Sequence, residues 1–173
     1  MRRTVVVLVA LAALGGCKRK EKIRVVETDE SGGTLQSVVH VADPKAEPQL
    51  LQGFYNVEQN AWRWTASKFS VALRPPGGAS QKGATLVLKL SVPDPVIQKL
   101  KAVSISAAIG GTQLSPETYT QSGEFTYTRD IDARLLAGEA VNIDFALDKF
   151  LAPGEADQRE LGVVVTTIGL EAK

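Results

Sequence analysis

Residues 85–92 read TLVLKLSV, with an apolar side chain at every second position. Successive side chains of a β-strand point to opposite faces, so this alternation predicts a strand with one buried and one solvated face. The predicted buried face consists of Leu86, Leu88, Leu90 and Val92. The sequence PDP at 93–95 ends the strand, because proline cannot donate a hydrogen bond to a neighbouring strand.

The same alternation recurs on both sides of this strand, and no segment shows a sustained period of 3.6 residues. Residues 95–101 are predicted to form one helical turn. Short strands separated by glycine and proline predict an all-β fold, an antiparallel two-sheet β-sandwich of immunoglobulin-like or jelly-roll type. The other predicted strands are 34–42, 62–73 with its alternation in the second half, 103–109, 125–129, 141–147 and 161–170. We also expect a short edge strand at 23–27 and loops at 43–50 and 74–83.

The composition is that of a globular protein. The chain has 173 residues, of which 44% are hydrophobic and 23% charged, and its net charge is +1. This balance argues against a disordered chain, and the small net charge gives no electrostatic case for a nucleic-acid partner. Because the chain has one cysteine, it cannot form an intramolecular disulfide.

The amino terminus has the pattern of a secretory signal peptide. Arg2 and Arg3 precede a ten-residue apolar run that is too short to span a bilayer as a helix. The residues at 14–17, Leu-Gly-Gly-Cys, resemble a bacterial lipobox, which implies cleavage before Cys17 and attachment of lipid to its thiol. Two or three acyl chains anchor a protein firmly to a membrane.

This interpretation divides the chain into three parts. We expect a lipoprotein signal peptide at 1–16, the lipidated cysteine and a tether at 17–33, and a β-sandwich domain at 34–173 with its core in 51–171. The predicted location is the cell envelope, with the protein held by its lipid. The absence of aspartate after Cys17 favours the outer membrane if the host has two membranes.

The sequence offers no catalytic or metal-binding motif. His40 is the one histidine and Cys17 is expected to carry lipid, so no Cys/His cluster is available to bind zinc. A Ser-His-Asp triad is not expected either, because His40 lies in a predicted strand outside the main domain. Phosphate-binding glycine loops and nucleophile motifs are missing too. We therefore predict a protein that is not an enzyme and that needs neither a cofactor nor a metal.

The most unusual stretch is GFYNVEQNAWRWT at 53–65, which holds four of the ten aromatic residues of the chain. Trp62 and Trp64 share one face of a strand, and Arg63 lies on the other. Aromatic rings can stack on the CH groups of a sugar while polar side chains bind its hydroxyls. This indicates a ligand face made of Tyr55, Trp62 and Trp64 with Glu58 and Arg63 in support; the alternative is that the tryptophans fill the sandwich core.

A second unusual stretch lies near the carboxyl end, where Asp157 and Arg159 precede the last strand. They form either a turn that pins the loop or the rim of a ligand site, in which Arg159 offers a two-pronged donor. Because the first and last strands of a sandwich commonly lie side by side, Glu58 or Asp157 is expected to pair with Arg63 or Arg159.

The two stretches together resemble the opening and closing motifs of a bacterial β-sandwich domain found beside glycosyltransferases and in envelope proteins. The resemblance covers about 51–171, and the proline of the closing motif stands one residue later here than in that pattern. Domains of this kind look like carbohydrate-binding modules. The matching residues are Gly53, Tyr55, Glu58, Trp62, Arg63 and Trp64, then Phe150, Pro153, Asp157, Arg159, Leu161 and Gly162.

The sequence thus predicts a lipid-anchored envelope protein whose sandwich is a non-catalytic binding module for a glycan or a protein partner. The alternative is a structural or assembly lipoprotein with no small ligand. The candidate ligand-binding residues are Tyr55, Glu58, Trp62, Arg63, Trp64, Asp157 and Arg159.

Overall fold

The computed structural model describes residues 34–155 and 157–173, which form an antiparallel all-β domain, as predicted. The predicted signal peptide, Cys17, the predicted tether and the strand predicted at 23–27 lie outside the described residues. The strands are β1 (Val38–His40), β2 (Leu50–Phe54), β3 (Arg63–Leu73), β4 (Ala84–Val92), β5 (Val103–Ile109), β6 (Thr112–Gln113), β7 (Glu117–Tyr119), β8 (Gly123–Ile131), β9 (Val141–Leu147) and β10 (Val164–Ala172).

Strand β3 joins the two layers of the domain. Its first residues pair with β10, where Trp64 opposes Val164, and from Lys68 onward it pairs with β9. One layer therefore contains β1, β10, β4 and β8, and the other contains β2, β3, β9, β5, β6 and β7. A strand that changes sheets in this way curls the ten strands around a single core.

The core lies between the two layers and is built from the alternating faces that the sequence predicts. On the predicted buried face of β4, Leu86, Leu88, Leu90 and Val92 are at most 3% exposed. The same parity is buried in β5 and β9. Phe69 of β3 stacks on Phe145 of β9 with ring centroids 4.8 Å apart. The period-2 pattern was thus sufficient to predict these strands and their buried faces.

The core extends further toward the amino terminus than the predicted 51–171. Strand β1 pairs with β10, and Val39 and Val41 are fully buried. Residues 43–50, predicted to be a loop, contain a 3-10 helix at Pro44–Gln49 that begins at an Asp43 cap. The Gln49 side chain ties this helix to β3 by donating a hydrogen bond of 2.7 Å to the Ala72 carbonyl.

The helices of the described residues are short. Helix α1 (Ala79–Lys82) lies within 74–83, which was predicted to be a loop, and α2 (Asp94–Leu100) occupies the position of the predicted helical turn. A second 3-10 helix spans Ala133–Leu135. Among the residues that the structure describes, no helix has the length and apolar character needed to cross a membrane.

Candidate functional site

A hairpin between β2 and β3 carries most of the candidate site residues. Glu58 and Trp62 oppose each other in this hairpin, with Glu58 N–H donating to the Trp62 carbonyl at 2.8 Å. Gln59 and Asn60 form the turn with positive φ values of 51° and 55°. Directly opposed residues of an antiparallel pair project to the same side, and so do residues two apart on one strand. Glu58, Trp62 and Trp64 therefore share one face.

The two tryptophans form what we call the tryptophan corner. Their ring centroids are 6.3 Å apart and their planes meet at 80°, an edge-to-face arrangement. Both residues are half-buried, and Trp64 packs against the hydrophobic core. The sequence left open whether the tryptophans are exposed or in the core; the structure places them at the boundary, with part of each residue accessible.

The segment between β9 and β10 brings Asp157 and Arg159 to this hairpin. Its two ends are joined by reciprocal hydrogen bonds of 2.8 and 2.9 Å between the backbones of Leu151 and Leu161. Further on, Gly162 N–H donates to the Thr65 carbonyl at 2.7 Å, which fixes the segment against the start of β3. The two unusual stretches of the sequence therefore meet in space.

Arg159 connects the two stretches through what we call the carboxylate–arginine bridge, formed by Glu58, Asp157 and Arg159. Its Nη1 donates to Glu58 Oε1 at 2.8 Å, and its Nη2 donates to Asp157 Oδ2 at 2.8 Å. The guanidinium carbon lies 5.2 Å from the centroid of the Tyr55 ring, within cation–π range. About one third of each bridge side chain is exposed, so the bridge faces solvent.

Hydrogen bonds within the bridge favour the charged forms of Asp157 and Arg159. Arg159 donates to Asp157 from both its side chain and its backbone N–H, and these bonds hold the pKa of Asp157 below its ordinary value. The same carboxylate, together with Glu58, raises the pKa of Arg159. The bridge thus sets two carboxylates against one guanidinium group.

Arg63 does not belong to this face. Its side chain is buried on the opposite side of the hairpin, where Nε donates to the Val41 carbonyl at 2.7 Å and Nη1 to the Tyr55 carbonyl at 3.1 Å. Its Nη2 bonds to Glu47, in the 3-10 helix. Arg63 thus supports the hairpin from the face opposite the tryptophans. The structure does not place its side chain beside the other predicted ligand-binding residues.

Close packing requires glycine at one position of each motif, at Gly53 in the opening motif and at Gly162 in the closing motif. A Cβ on Gly53 would lie 2.0 Å from the Lys68 carbonyl oxygen, and its φ of +76° disfavours any other residue. A Cβ on Gly162 would lie 2.5 Å from Leu147 Cδ1 and 2.8 Å from Thr65 Oγ1. Both glycines let the two segments of the site approach β3 closely.

Sequence reasoning missed two acidic residues that hold the site together. Glu47 forms an ion pair with Arg63. Glu160 accepts a hydrogen bond of 2.5 Å from the backbone N–H of Ser67, which lies where the pairing partner of β3 changes from β10 to β9. No sequence signal marks Glu47 as a partner of Arg63, because the 3-10 helix that contains Glu47 has no periodic pattern of apolar residues. For Glu160, the one available signal was its position directly after Arg159 in the sequence.

A shallow groove of about 230 Å³ lies elsewhere, on the outer face of the layer that contains β5 and β9. Small residues such as Ala108 and Ala146 form its floor, and Gln52, Lys68 and Asp144 stand along it. Within the described residues, no group of three or more His, Cys, Asp or Glu side chains is placed to hold a metal ion.

Comparisons with known proteins give remote structural likeness alone. No family model and no curated protein matches the sequence. The CBM36-1 domain of a multidomain xylanase from the hindgut metagenome of Trinervitermes trinervoides is 12% identical, with a TM-score of 0.43 over 79% of this chain and 96% of that one. A family 35 carbohydrate binding module from an environmental isolate is 12% identical, with a TM-score of 0.36 over 83% and 90%.

A third structure, described as a CBM4, is 10% identical, with a TM-score of 0.34 over 78% of this chain and 85% of that one. Likeness of this degree defines no ligand for this chain. The fold rests on the strand pairings given above.

Proposed function

We propose that the domain is a non-catalytic glycan-binding module, and that the tryptophan corner and the carboxylate–arginine bridge form its binding site. The observation that carries the proposal is the shared face of Glu58 and the two tryptophans. Accessible indole surface and ionised hydrogen-bonding groups stand side by side there. Sugars need both, because their CH faces pack on aromatic rings while their hydroxyls bind polar groups.

The state of the carboxylates supports binding without catalysis. A glycosidase needs one carboxylic acid whose pKa is raised, so that it can protonate the leaving oxygen. Here Glu58 and Asp157 both bond to the same guanidinium, and the pKa of Asp157 is lowered. The bridge therefore favours the role of hydrogen-bond acceptors for hydroxyl groups.

The experiment that tests the proposal is a thermal-shift screen of the full chain against envelope and plant saccharides. The buffer contains a polyoxyethylene detergent, since a glycoside detergent could occupy the site. A ligand at 100 times its dissociation constant stabilises a protein by about 2.7 kcal/mol, a shift of several degrees. We expect such a shift for at least one saccharide.

Variants assign the shift to the site. Trp62→Ala and the milder Glu58→Gln should abolish it, each measured against its own ligand-free melting temperature. Phe125→Ala removes an aromatic ring from β8, which pairs with β4 and not with the hairpin, and should leave the shift unchanged. A shift that survives both site variants would overturn the assignment.

The alternative function is structural or in assembly, with no small ligand. Two observations favour it. Trp64 packs against the core, and Arg159 joins the hairpin to the segment before β10 through its bond to Glu58. A screen with no saccharide shift, together with a lower melting temperature for Trp62→Ala, would support this alternative. A protein partner would then be the next candidate.

We further propose that the domain is anchored in the cell envelope by lipid on Cys17, facing the periplasm or surface from the outer membrane in a two-membrane host. The lipobox-like residues at 14–17 support this placement. Cys17→Ala should move the protein from the membrane pellet to the soluble fraction after a salt wash, and Ser31→Ala should not. Continued pelleting of Cys17→Ala would contradict the lipid anchor.

A further inference from the structure

The segments that build the site contain more negative than positive charge. Residues 53–65 and 150–162 together hold four carboxylates and two guanidinium groups. One of the two guanidiniums, on Arg63, is buried behind the hairpin and bonded to Glu47 and backbone carbonyls. The guanidinium that remains for the tryptophan face is that of Arg159.

Arg159 does not balance the acidic groups around it. Glu58 and Asp157 both accept hydrogen bonds from it, so the bridge has a net charge of minus one. Glu160 accepts a hydrogen bond from the backbone N–H of Ser67, an uncharged group, and forms no ion pair with any residue that the structure describes. The negative faces of the indole rings add to this field, because aromatic faces attract cations.

The rings also limit the shape of the ligand. Planes that meet at 80° offer no common flat surface, so the tryptophan corner cannot lie against the broad face of a crystalline polysaccharide. A corner of this kind accommodates one sugar unit, at a chain end or within a single chain.

We propose that the site selects glycans by charge: it binds a single sugar unit without an acidic group, and it prefers a protonated amino sugar to a neutral sugar of the same configuration. This inference rests on the proposed glycan-binding function. Its physical basis is the excess of carboxylates beside the tryptophan corner. Uronic acid and phosphate groups are repelled by the same charges.

The local potential can be measured without any glycan, because the two tryptophans of the chain both lie in the corner. Caesium and iodide quench indole fluorescence and differ in charge, and acrylamide reports accessibility alone. For the full chain in polyoxyethylene detergent at low salt, we expect the caesium-to-iodide quenching ratio to exceed that of N-acetyltryptophanamide about twofold or more. The excess should shrink at high salt, where charges are screened.

A matched pair of variants tests which charges are responsible. Asp157 and Asp132 each bond to the arginine two residues later in the same way. Asp157→Asn should lower the caesium preference, and Asp132→Asn should leave it unchanged. A ratio equal to or below that of free indole, or equal effects of the two variants, would overturn the proposal.

The ligand ranking is tested with three β-1,4-linked tetramers, of glucosamine, glucose and glucuronic acid, in mildly acidic low-salt buffer. We expect affinity to fall in that order, with the glucuronic acid tetramer weakest by about tenfold or more relative to the glucosamine tetramer. Equal or tighter binding of the acidic tetramer would overturn the charge selection. A caesium preference with no response to any saccharide would instead overturn the proposed function, and the ligand ranking with it.

Discussion

Arg159 donates a hydrogen bond of 2.8 Å to Glu58, a residue 101 positions earlier in the chain. This bond joins the hairpin that begins β3 to the segment that precedes β10, two regions that pair side by side in the sandwich. It also holds a carboxylate next to the half-exposed Trp62, because Glu58 and Trp62 are opposed in the hairpin. The Arg159–Glu58 contact therefore both connects two distant segments of the fold and holds a polar group at the candidate site.

Replacing Arg159 by methionine should lower the free energy of unfolding by about 1 kcal/mol, the upper range for a partly exposed ion pair. Arg134 is the matched control, since it bonds to Asp132 as Arg159 bonds to Asp157 but is 88% exposed. Urea unfolding should show a smaller loss for Arg134→Met than for Arg159→Met. Equal losses would mean that the contacts with Glu58 and Tyr55 add nothing to stability.

Replacing Gly53 by alanine should destabilise the domain by at least about 2 kcal/mol, from steric overlap and an unfavourable φ. The new Cβ would overlap the Lys68 carbonyl oxygen, a backbone atom of β3. Gly77→Ala is the control, because a Cβ there has no atom within 4 Å, and it should change stability by less than about 0.5 kcal/mol. Thermal unfolding of both variants distinguishes close packing from a general cost of losing glycine.

Replacing Arg63 by methionine should cost about 3 kcal/mol, because the Val41 and Tyr55 carbonyls would lose a charged donor inside the fold. Arg63→Lys should recover part of the loss, since an ammonium group can donate to these carbonyls but lacks the planar fork. Arg74→Met, at an exposed arginine, serves as control. Chemical denaturation that finds Arg63→Met as stable as Arg74→Met would contradict this supporting role.

Tyr127 and Tyr119 should respond differently to loss of the hydroxyl group. Tyr127 donates a hydrogen bond of 3.0 Å to the Ser115 carbonyl, so Tyr127→Phe should cost about 1 kcal/mol. The buried Tyr119 hydroxyl makes no hydrogen bond of ordinary geometry with a described residue, and burial together with the nearby Glu117 carboxylate raises its pKa. Tyr119→Phe should therefore be neutral or stabilising, and a loss as large as that of Tyr127→Phe would reveal a partner such as a bound water.

The strands could be predicted where one face is buried and the other is wet. The alternation in β4 and β9 reports that difference directly, so their bounds and buried residues follow from the sequence. The segment at 43–50 has no such periodicity, because its 3-10 helix is held by Gln49 side-chain hydrogen bonds to distant backbone groups. Bonds of this kind leave no local pattern.

The pairing within the candidate site was half predictable. The sequence narrowed the arginine that pairs with Glu58 to Arg63 or Arg159 but did not decide between them. Strand parity contained the answer, since Arg63 lies between two tryptophans and must point to the other face. Its partner Glu47 could not be predicted, because that contact depends on how the 3-10 helix folds back beneath the hairpin.

Nuclear magnetic resonance gives the most direct test of whether a glycan binds at the tryptophan corner. The full chain, labelled with ¹⁵N, is titrated with the saccharide that gives the largest thermal shift. We expect both indole N–H signals and the Arg159 Nε–H signal to move and saturate together. Unmoved indole signals, with shifts instead at the side-chain amides of Gln52 and Gln113 in the groove on the outer face of β5 and β9, would contradict it.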